Sequence, residues 1–240
     1  MGNASGSLKK HIETAQKTGA LNFTDKGLDK FPSELVQVAG TLRNLDLSSN
    51  KLQSLPVNMG AFKILKSLNV SKNRLTELPQ QFENLIKLEI LNLSFNSISA
   101  LPQGFSKLKN LKEIDLSHNN LTDFPACLVG LKQLNLLNLN KNKITTIPDE
   151  VQGIEATEIS LNENQISSIS ASIASCPRLK TLRLEENCLS LDAIPTQLLS
   201  DSGVSLLALD GNLFDSKSLD SLPGYDKYMD RYTAVKRKLD

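Results

Sequence analysis

The chain has 240 residues and a formal net charge of +1, from Lys+Arg 27 against Asp+Glu 26. That balance leaves no bulk electrostatic case for binding nucleic acid. With no Trp and 5% aromatic residues, the core has to be built from aliphatic side chains, and no apolar run approaches the ~20 residues that a membrane-spanning helix needs.

The chain opens Met1-Gly2-Asn3-Ala4-Ser5-Gly6-Ser7-Leu8-Lys9-Lys10. Removal of Met1 would expose Gly2, the residue that accepts a myristoyl chain, and Gly6 stands where the acylation motif prefers Ser or Thr. One acyl chain holds a protein to a membrane only marginally, and Lys9 and Lys10 supply a weak second signal. The other reading of this segment is a plain small-residue tail. It lacks the apolar stretch of about 7–15 residues that marks a secretory signal. From Leu8 to Thr18 the spacing of Leu8, Ile12 and Ala15 predicts a short amphipathic helix over the open end of the core, with Gly19 as its stop. Residues 1–17 are thus read as an acylation signal and a capping helix.

From Thr18 to Phe214 a single apolar frame recurs, L-x-x-L-x-L-x-x-N-x-L. Leu42-Leu45-Leu47-Asn50-Leu52 is one copy and Leu65-Leu68-Val70-Asn73-Leu75 the next. The closing asparagines are Asn50, Asn73, Asn96, Asn119, Asn142, Asn164, Asn187 and Asn212, at steps of 23, 23, 23, 23, 22, 23 and 25 residues. An upstream copy, Thr18-Leu21-Phe23-Lys26-Leu28, carries Lys26 in the asparagine place and brings the count over residues 18–214 to about nine. This is the signature of a leucine-rich repeat solenoid. The expected fold class is α/β: a horseshoe with a parallel concave sheet, 3₁₀ or helical turns on the convex side and a helical cap at each end.

Within each strand alternate side chains face opposite ways, so Leu68 and Val70 point inward while Asn69 and Ser71 point out. The asparagine amide carries both donors and acceptor, and can satisfy backbone groups of its own turn and of the neighbouring one. The eight amides therefore read as a structural ladder, not as a row of ligands. Leu55-Pro56, Leu78-Pro79, Leu101-Pro102, Phe124-Pro125 and Ile147-Pro148 follow at a constant offset, each with apolar residues three and six positions on, which predicts a 3₁₀ turn. The Asn164 unit is one residue short, with Ala156 in the first leucine slot and Ser170 in place of proline. The Asn212 unit follows an insertion around Leu191-Asp192. In residues 215–240 the helical spacing of Tyr225, Tyr228, Tyr232 and Val235 predicts a cap from Gly224 to Leu239, with a docking motif as the other reading; the basic tail Lys236-Arg237-Lys238 ends it.

Cys127, Cys176 and Cys188 show no C-x-x-C pairing and no clusters at the caps, which with the missing signal peptide places the protein inside the cell. Cys176 occupies a core slot. On the outward strand face, Ile90, Phe95, His118 and Leu136 form an apolar and aromatic group suited to anchoring a partner. Beside it lies an acidic zone, Glu113, Asp115, Glu158, Glu163, Glu185 and Glu186, with Arg183 among them, suited to a basic segment. Scattered surface variation is the alternative. No nucleophile motif, phosphate loop, dinucleotide fingerprint or zinc spacing occurs. The expectation is therefore no enzyme, no cofactor and no metal; a hydrolase would have to depend on His118.

The repeats, together with Met1-Gly2-Asn3, Glu13-Thr14-Ala15-Gln16-Lys17-Thr18-Gly19, Cys176-Pro177-Arg178-Leu179-Lys180, Leu182-Arg183-Leu184-Glu185-Glu186-Asn187-Cys188-Leu189 and Gly224-Tyr225-Asp226-Lys227-Tyr228-Met229, resemble the intracellular leucine-rich repeat family over essentially the whole length. The resemblance implies a small intracellular protein, myristoylated at Gly2 and membrane-associated, without established enzymatic activity. The expected function is a scaffold or adaptor on a cytoplasmic membrane face, holding an unidentified protein partner on the concave ribbon. A soluble regulatory subunit of a phosphatase or small GTPase, without lipid, is the alternative.

Overall fold

A computed structural model describes residues 2–237, with residues 2–8 described as backbone. Met1, the Leu8 side chain, and Lys238 and Leu239 of the expected tail lie outside the described residues. The chain forms two compact units, Met1–Asn119 and Asn120–Asp240.

In the first unit a helix, α1 (Gly2–Thr18), is followed by five parallel strands in chain order: β1 (Ala20–Asn22), β2 (Asn44–Asp46), β3 (Ser67–Asn69), β4 (Ile90–Asn92) and β5 (Glu113–Asp115). Their register places Leu21, Leu45, Leu68, Leu91 and Ile114 side by side, and all five are buried. No strand covers its apolar residues alone; each does so against the next repeat. Pro56, Pro79 and Pro102 stand at the N-caps of 3₁₀ turns Val57–Ala61, Gln80–Asn84 and Gln103–Lys107. Proline suits that place because its φ is preset and it has no N–H to leave unpaired. The turns bury Met59, Phe82 and Phe105, and the rings of Phe82 and Phe105 stack with centroids 5.4 Å apart.

Helix α1 starts at Gly2 rather than at Leu8. The Gly, Ser and Asn residues of its first turns carry no apolar spacing from which a helix could be read. It ends where expected: Gly19 has φ 71° and its N–H donates to the Ala15 carbonyl at 2.8 Å. That left-handed stop is one that glycine takes without steric cost. Ile12 and Ala15 are buried under the helix, and His11 meets the Phe23 ring edge-on at 5.3 Å.

The second unit carries β6 (Leu136–Asn138), β7 (Thr146–Ile147), β8 (Glu158–Ser160), β9 (Ser168–Ile169), β10 (Thr181–Arg183) and β11 (Leu206–Ala208). Strands β6, β8, β10 and β11 are parallel neighbours in that order, and β7 pairs with β9 separately. Leu137, Ile159, Leu182 and Leu207 share the register, and Ala156 is fully buried in its leucine slot. Ser170 replaces proline by capping: its Oγ accepts from the Ser172 N–H at 3.1 Å at the head of the 3₁₀ turn Ala171–Ser175. The insertion becomes a turn, Leu191–Ala193, and a short helix, α2 (Thr196–Ser200), that buries Leu198 and Leu199.

Helix α3 (Tyr225–Lys236) closes this unit. The Leu207 N–H of β11 donates to the Tyr228 hydroxyl at 3.2 Å. Arg231 donates to the carbonyls of Val204 at 2.9 Å and Leu199 at 2.7 Å. An otherwise open strand edge is thereby covered. Of the apolar row expected to face the core only Tyr228 is buried, and its burial pushes the phenol pKa up. Val235, expected in that row, is exposed instead, one residue from the helix end. Among the described residues no helix is long and apolar enough to cross a membrane.

Candidate functional site

The asparagine ladder sets the geometry of the exposed strand face. Asn73 donates from Nδ2 to the carbonyls of Leu47 and Val70, both at 3.0 Å, and accepts at Oδ1 from the Leu52 N–H at 3.0 Å. Asn96 and Asn119 repeat this pattern in the first unit. In the second unit Asn164, Asn187 and Asn212 do the same, and Asn142 accepts from the Leu121 N–H. Lys26 lacks an amide, and Asn50 serves that first turn from its own repeat. Its Oδ1 accepts from the N–H groups of Lys26 and Leu28, both at 3.0 Å, and its Nδ2 donates to the Phe23 carbonyl at 3.0 Å.

A second ladder lies on the outward face. The last residue of each strand turns its side-chain oxygen back to the N–H two residues on: Asp46 to Ser48 at 2.8 Å, Asn69 to Ser71 at 3.1 Å, Asn92 to Ser94 at 3.0 Å and Asp115 to Ser117 at 2.9 Å. Asn138 does likewise to Asn140 in the second unit. These side chains hold the strand ends by local turns. Asp115, read from sequence as part of an acidic binding zone, is occupied in this way.

The residue before each asparagine carries a left-handed backbone. Ser49, Lys72, Phe95, His118, Lys141, Glu163 and Glu186 all have φ between 54° and 56°, and Gly211 has φ 77°. In the first unit this residue stands three places beyond the strand end, where the left-handed backbone turns the chain. In the first unit the column becomes a continuous ridge. Phe95 and His118 stack with centroids 3.8 Å apart and planes 15° from parallel, and Lys72 Nζ lies 5.8 Å from the Phe95 centroid. Phe95 is 44% exposed, and the aromatic pair with Lys72 at its rim faces solvent; Ile90, equally exposed, stands apart from it at the head of β4. Glu113 is exposed at the head of β5, next in register to Ile90.

In the second unit Leu136 is exposed at the head of β6, beside Glu158 of β8. The acids here are largely answered by neighbours. Glu158 pairs with Arg183 at 3.1 Å, Glu163 with Lys141 at 3.2 Å, and Glu185 accepts from Asn162 Nδ2 at 2.6 Å. Glu186 is exposed and lies against Gly211, whose missing side chain leaves room for its carboxylate. Arg183 and Lys141 make this face alternate in charge. Burial pushes the thiols of Cys127 and Cys176 up to about 11, and the Cys176 thiol donates to the Val151 carbonyl at 3.1 Å. Among the described residues no group of His, Cys, Asp and Glu is arranged to hold a metal ion.

A leucine rich repeat family model matches residues 40–98 and 86–144. Among solved structures the chain is similar to a leucine-rich repeat protein of Leptospira interrogans, with TM-score 0.72 and 27% identity over 85% of this chain and 59% of that one. It is similar to the leucine-rich repeat ectodomain of the plant membrane receptor kinase GASSHO1/SCHENGEN3 from Arabidopsis thaliana, solved in complex with CASPARIAN STRIP INTEGRITY FACTOR 2. The TM-score there is 0.69 at 30% identity, over 81% of this chain and 24% of that one. Internalin C2 of Listeria monocytogenes, at 21% identity, shares the fold, with TM-score 0.71 over 85% of this chain and 92% of that one. The chain spans less than two thirds of the first two relatives. Its fold is the leucine-rich repeat fold, and domains of this class generally serve as non-enzymatic scaffolds for protein–protein interaction.

Proposed function

We propose that the protein is a non-enzymatic adaptor that holds a protein partner on the exposed strand face of its first unit and is tethered to a cytoplasmic membrane face by a myristoyl chain on Gly2. The ridge of Lys72, Phe95 and His118 carries the partner reading. An aromatic pair stacked on the exposed face is costly to leave facing water and is the kind of anchor that interfaces use. The Arabidopsis ectodomain, a relative in fold, was solved with a bound factor, which agrees with a face built for recognition. The Met1-Gly2-Asn3 start supports the tether.

Two experiments test the two halves separately. The intact mass of the N-terminal peptide from protein made in eukaryotic cells, with Gly2→Ala as control, should show a myristoyl adduct lost in the variant; a free or acetylated Gly2 removes the tether. A partner cross-linked to wild-type protein should bind Phe95→Ala at least tenfold more weakly. Equal binding moves the site off this ridge.

A further inference from the structure

We propose that one edge of the first unit docks directly on an anionic lipid bilayer, with no acyl chain required. The strands place Asn44, Ser67, Ile90 and Glu113 in register. The segments just upstream, residues 40–43, 63–66, 86–89 and 109–112, therefore lie in rows about 4.8 Å apart. Backbone bonds tie them together: the Lys66 N–H donates to Arg43, that of Glu89 to Lys66 and that of Lys112 to Glu89, each at 2.8 Å. Asn110 Nδ2 donates to the Ile86 carbonyl at 2.6 Å.

These rows hold Arg43, Lys63, Lys66, Lys87, Lys109 and Lys112 against one acid, Glu89. Glu89 bridges Lys66 at 2.8 Å and Lys112 at 2.7 Å, and one carboxylate leaves the rows strongly cationic. The chain as a whole carries only +1. The segments at the opposite ends of the same strands are nearly balanced: residues 51–54, 74–77 and 97–100 hold Lys51 and Arg74 against Glu77. The asymmetry is therefore a property of one edge. Its rows are closer together than the screening length of about 8 Å at physiological salt, so the cations act jointly.

Two further features favour a bilayer over a nucleic acid or an acidic protein. Five of the six cations are lysines, which act as hydrated point charges rather than as the planar forks that read phosphates or carboxylates in pairs. Among them stand Ile64, 37% exposed, and Ile86, 49% exposed. Isolated branched apolar side chains ringed by lysine stems suit the headgroup boundary, where the charges meet anionic lipid and the apolar tips enter the acyl region. This edge is a different surface from the aromatic ridge proposed for the partner.

The test uses the full chain made without an acyltransferase, so that Gly2 stays free, and vesicles of phosphatidylcholine with about a third phosphatidylserine. Wild-type protein should sediment with these vesicles, stay in solution with phosphatidylcholine alone, and be released by high salt. At roughly fivefold per lysine, Lys63→Glu with Lys87→Glu should weaken binding more than tenfold. Ile86→Asp should weaken it too, whereas Lys51→Glu with Arg74→Glu, on the opposite edge, should leave it unchanged. Thermal unfolding of each variant establishes that it folds. The proposal is overturned by a lack of wild-type binding to anionic vesicles, or by equal losses from the two edges. Because Gly2 is free throughout, neither result bears on the lipid tether.

Discussion

Phe95 and His118 lie face to face, 3.8 Å between ring centroids, although both sit on left-handed backbone with φ 55° and 54°. Successive repeats have brought the same position of the frame into contact, so the stack follows from the 23-residue step between Asn96 and Asn119. Aromatic pairs contribute about 0.5–1.5 kcal/mol beyond the area they bury, and a nearly face-to-face pair such as this falls toward the lower end of that range. A double-mutant cycle of Phe95→Ala and His118→Ala, read by urea unfolding, should return a coupling of about that size. Additive losses would mean that the rings merely adjoin.

The shared left-handed backbone has a cost that can be measured at Ser49. A side chain at positive φ costs roughly 1–2 kcal/mol, because its Cβ crowds the following carbonyl. Glycine removes that cost but gives back about 0.5–1 kcal/mol in unfolded-chain freedom. Ser49→Gly should therefore raise stability by up to ~1.5 kcal/mol, with the backbone N–H of residue 49 still donating to the Ser71 carbonyl. Ser49→Val should lower it, since a branched side chain fits this region worst. A lower denaturation midpoint for the glycine variant would contradict the strain assigned to this column.

The sequence frame carried the strand positions, the inward leucines, the proline-led turns and the two caps, because each rests on a period or on a residue with one conformational role. It did not carry the left-handed column. Ser49, Lys72, Phe95, His118, Lys141, Glu163 and Glu186 look like ordinary variable residues, and the signal was the single Gly211 in the same slot, with no branched residue anywhere in it. Asp115 has a turn-forming role that the sequence did not show, for a related reason. Its chemistry is that of a ligand, but its place two residues before Ser117 makes it a turn-former. The charge of Glu158 and Glu163 was legible, while their partners Arg183 and Lys141 were identified only once the register was known.

Asn96 tests the ladder itself. The carbonyls of Val70 and Leu93 each accept from two amides, Val70 from Asn73 and Asn96, Leu93 from Asn96 and Asn119. Loss of one amide leaves each carbonyl a partner, but strips the Leu75 N–H of the Asn96 Oδ1. Asn96→Ala should cost about 1–3 kcal/mol, the range for one orphaned group. Asn96→Asp keeps that acceptor but sets a carboxylate against the carbonyls of Val70, Leu93 and Ser94, so at neutral pH it should cost more than the alanine. The introduced carboxyl then has a raised folded-state pKa, and the excess penalty should disappear as pH falls through it. A penalty for Asn96→Asp that is flat with pH would argue that the acceptor alone matters.

Glu89 links stability to the basic edge. The hydrogen bonds from Lys112 and Lys66 pull its carboxyl from 4.5 to about 2. A depressed carboxylate adds stability that is complete above the unfolded value and is lost as pH falls through the folded one. Glu89→Gln should thus unfold more easily than wild type at neutral pH, with the gap closing between pH 4.5 and about 2 and absent below that. High salt should shrink the same gap, since both lysines are largely exposed. At neutral pH the substitution also removes the one acid among the six cations of the edge. The same variant should therefore be less stable than wild type and bind phosphatidylserine vesicles more tightly. A fall in both would place Glu89 in the lipid contact itself, whereas a gap that persists below pH 2 would trace its role to packing rather than to charge.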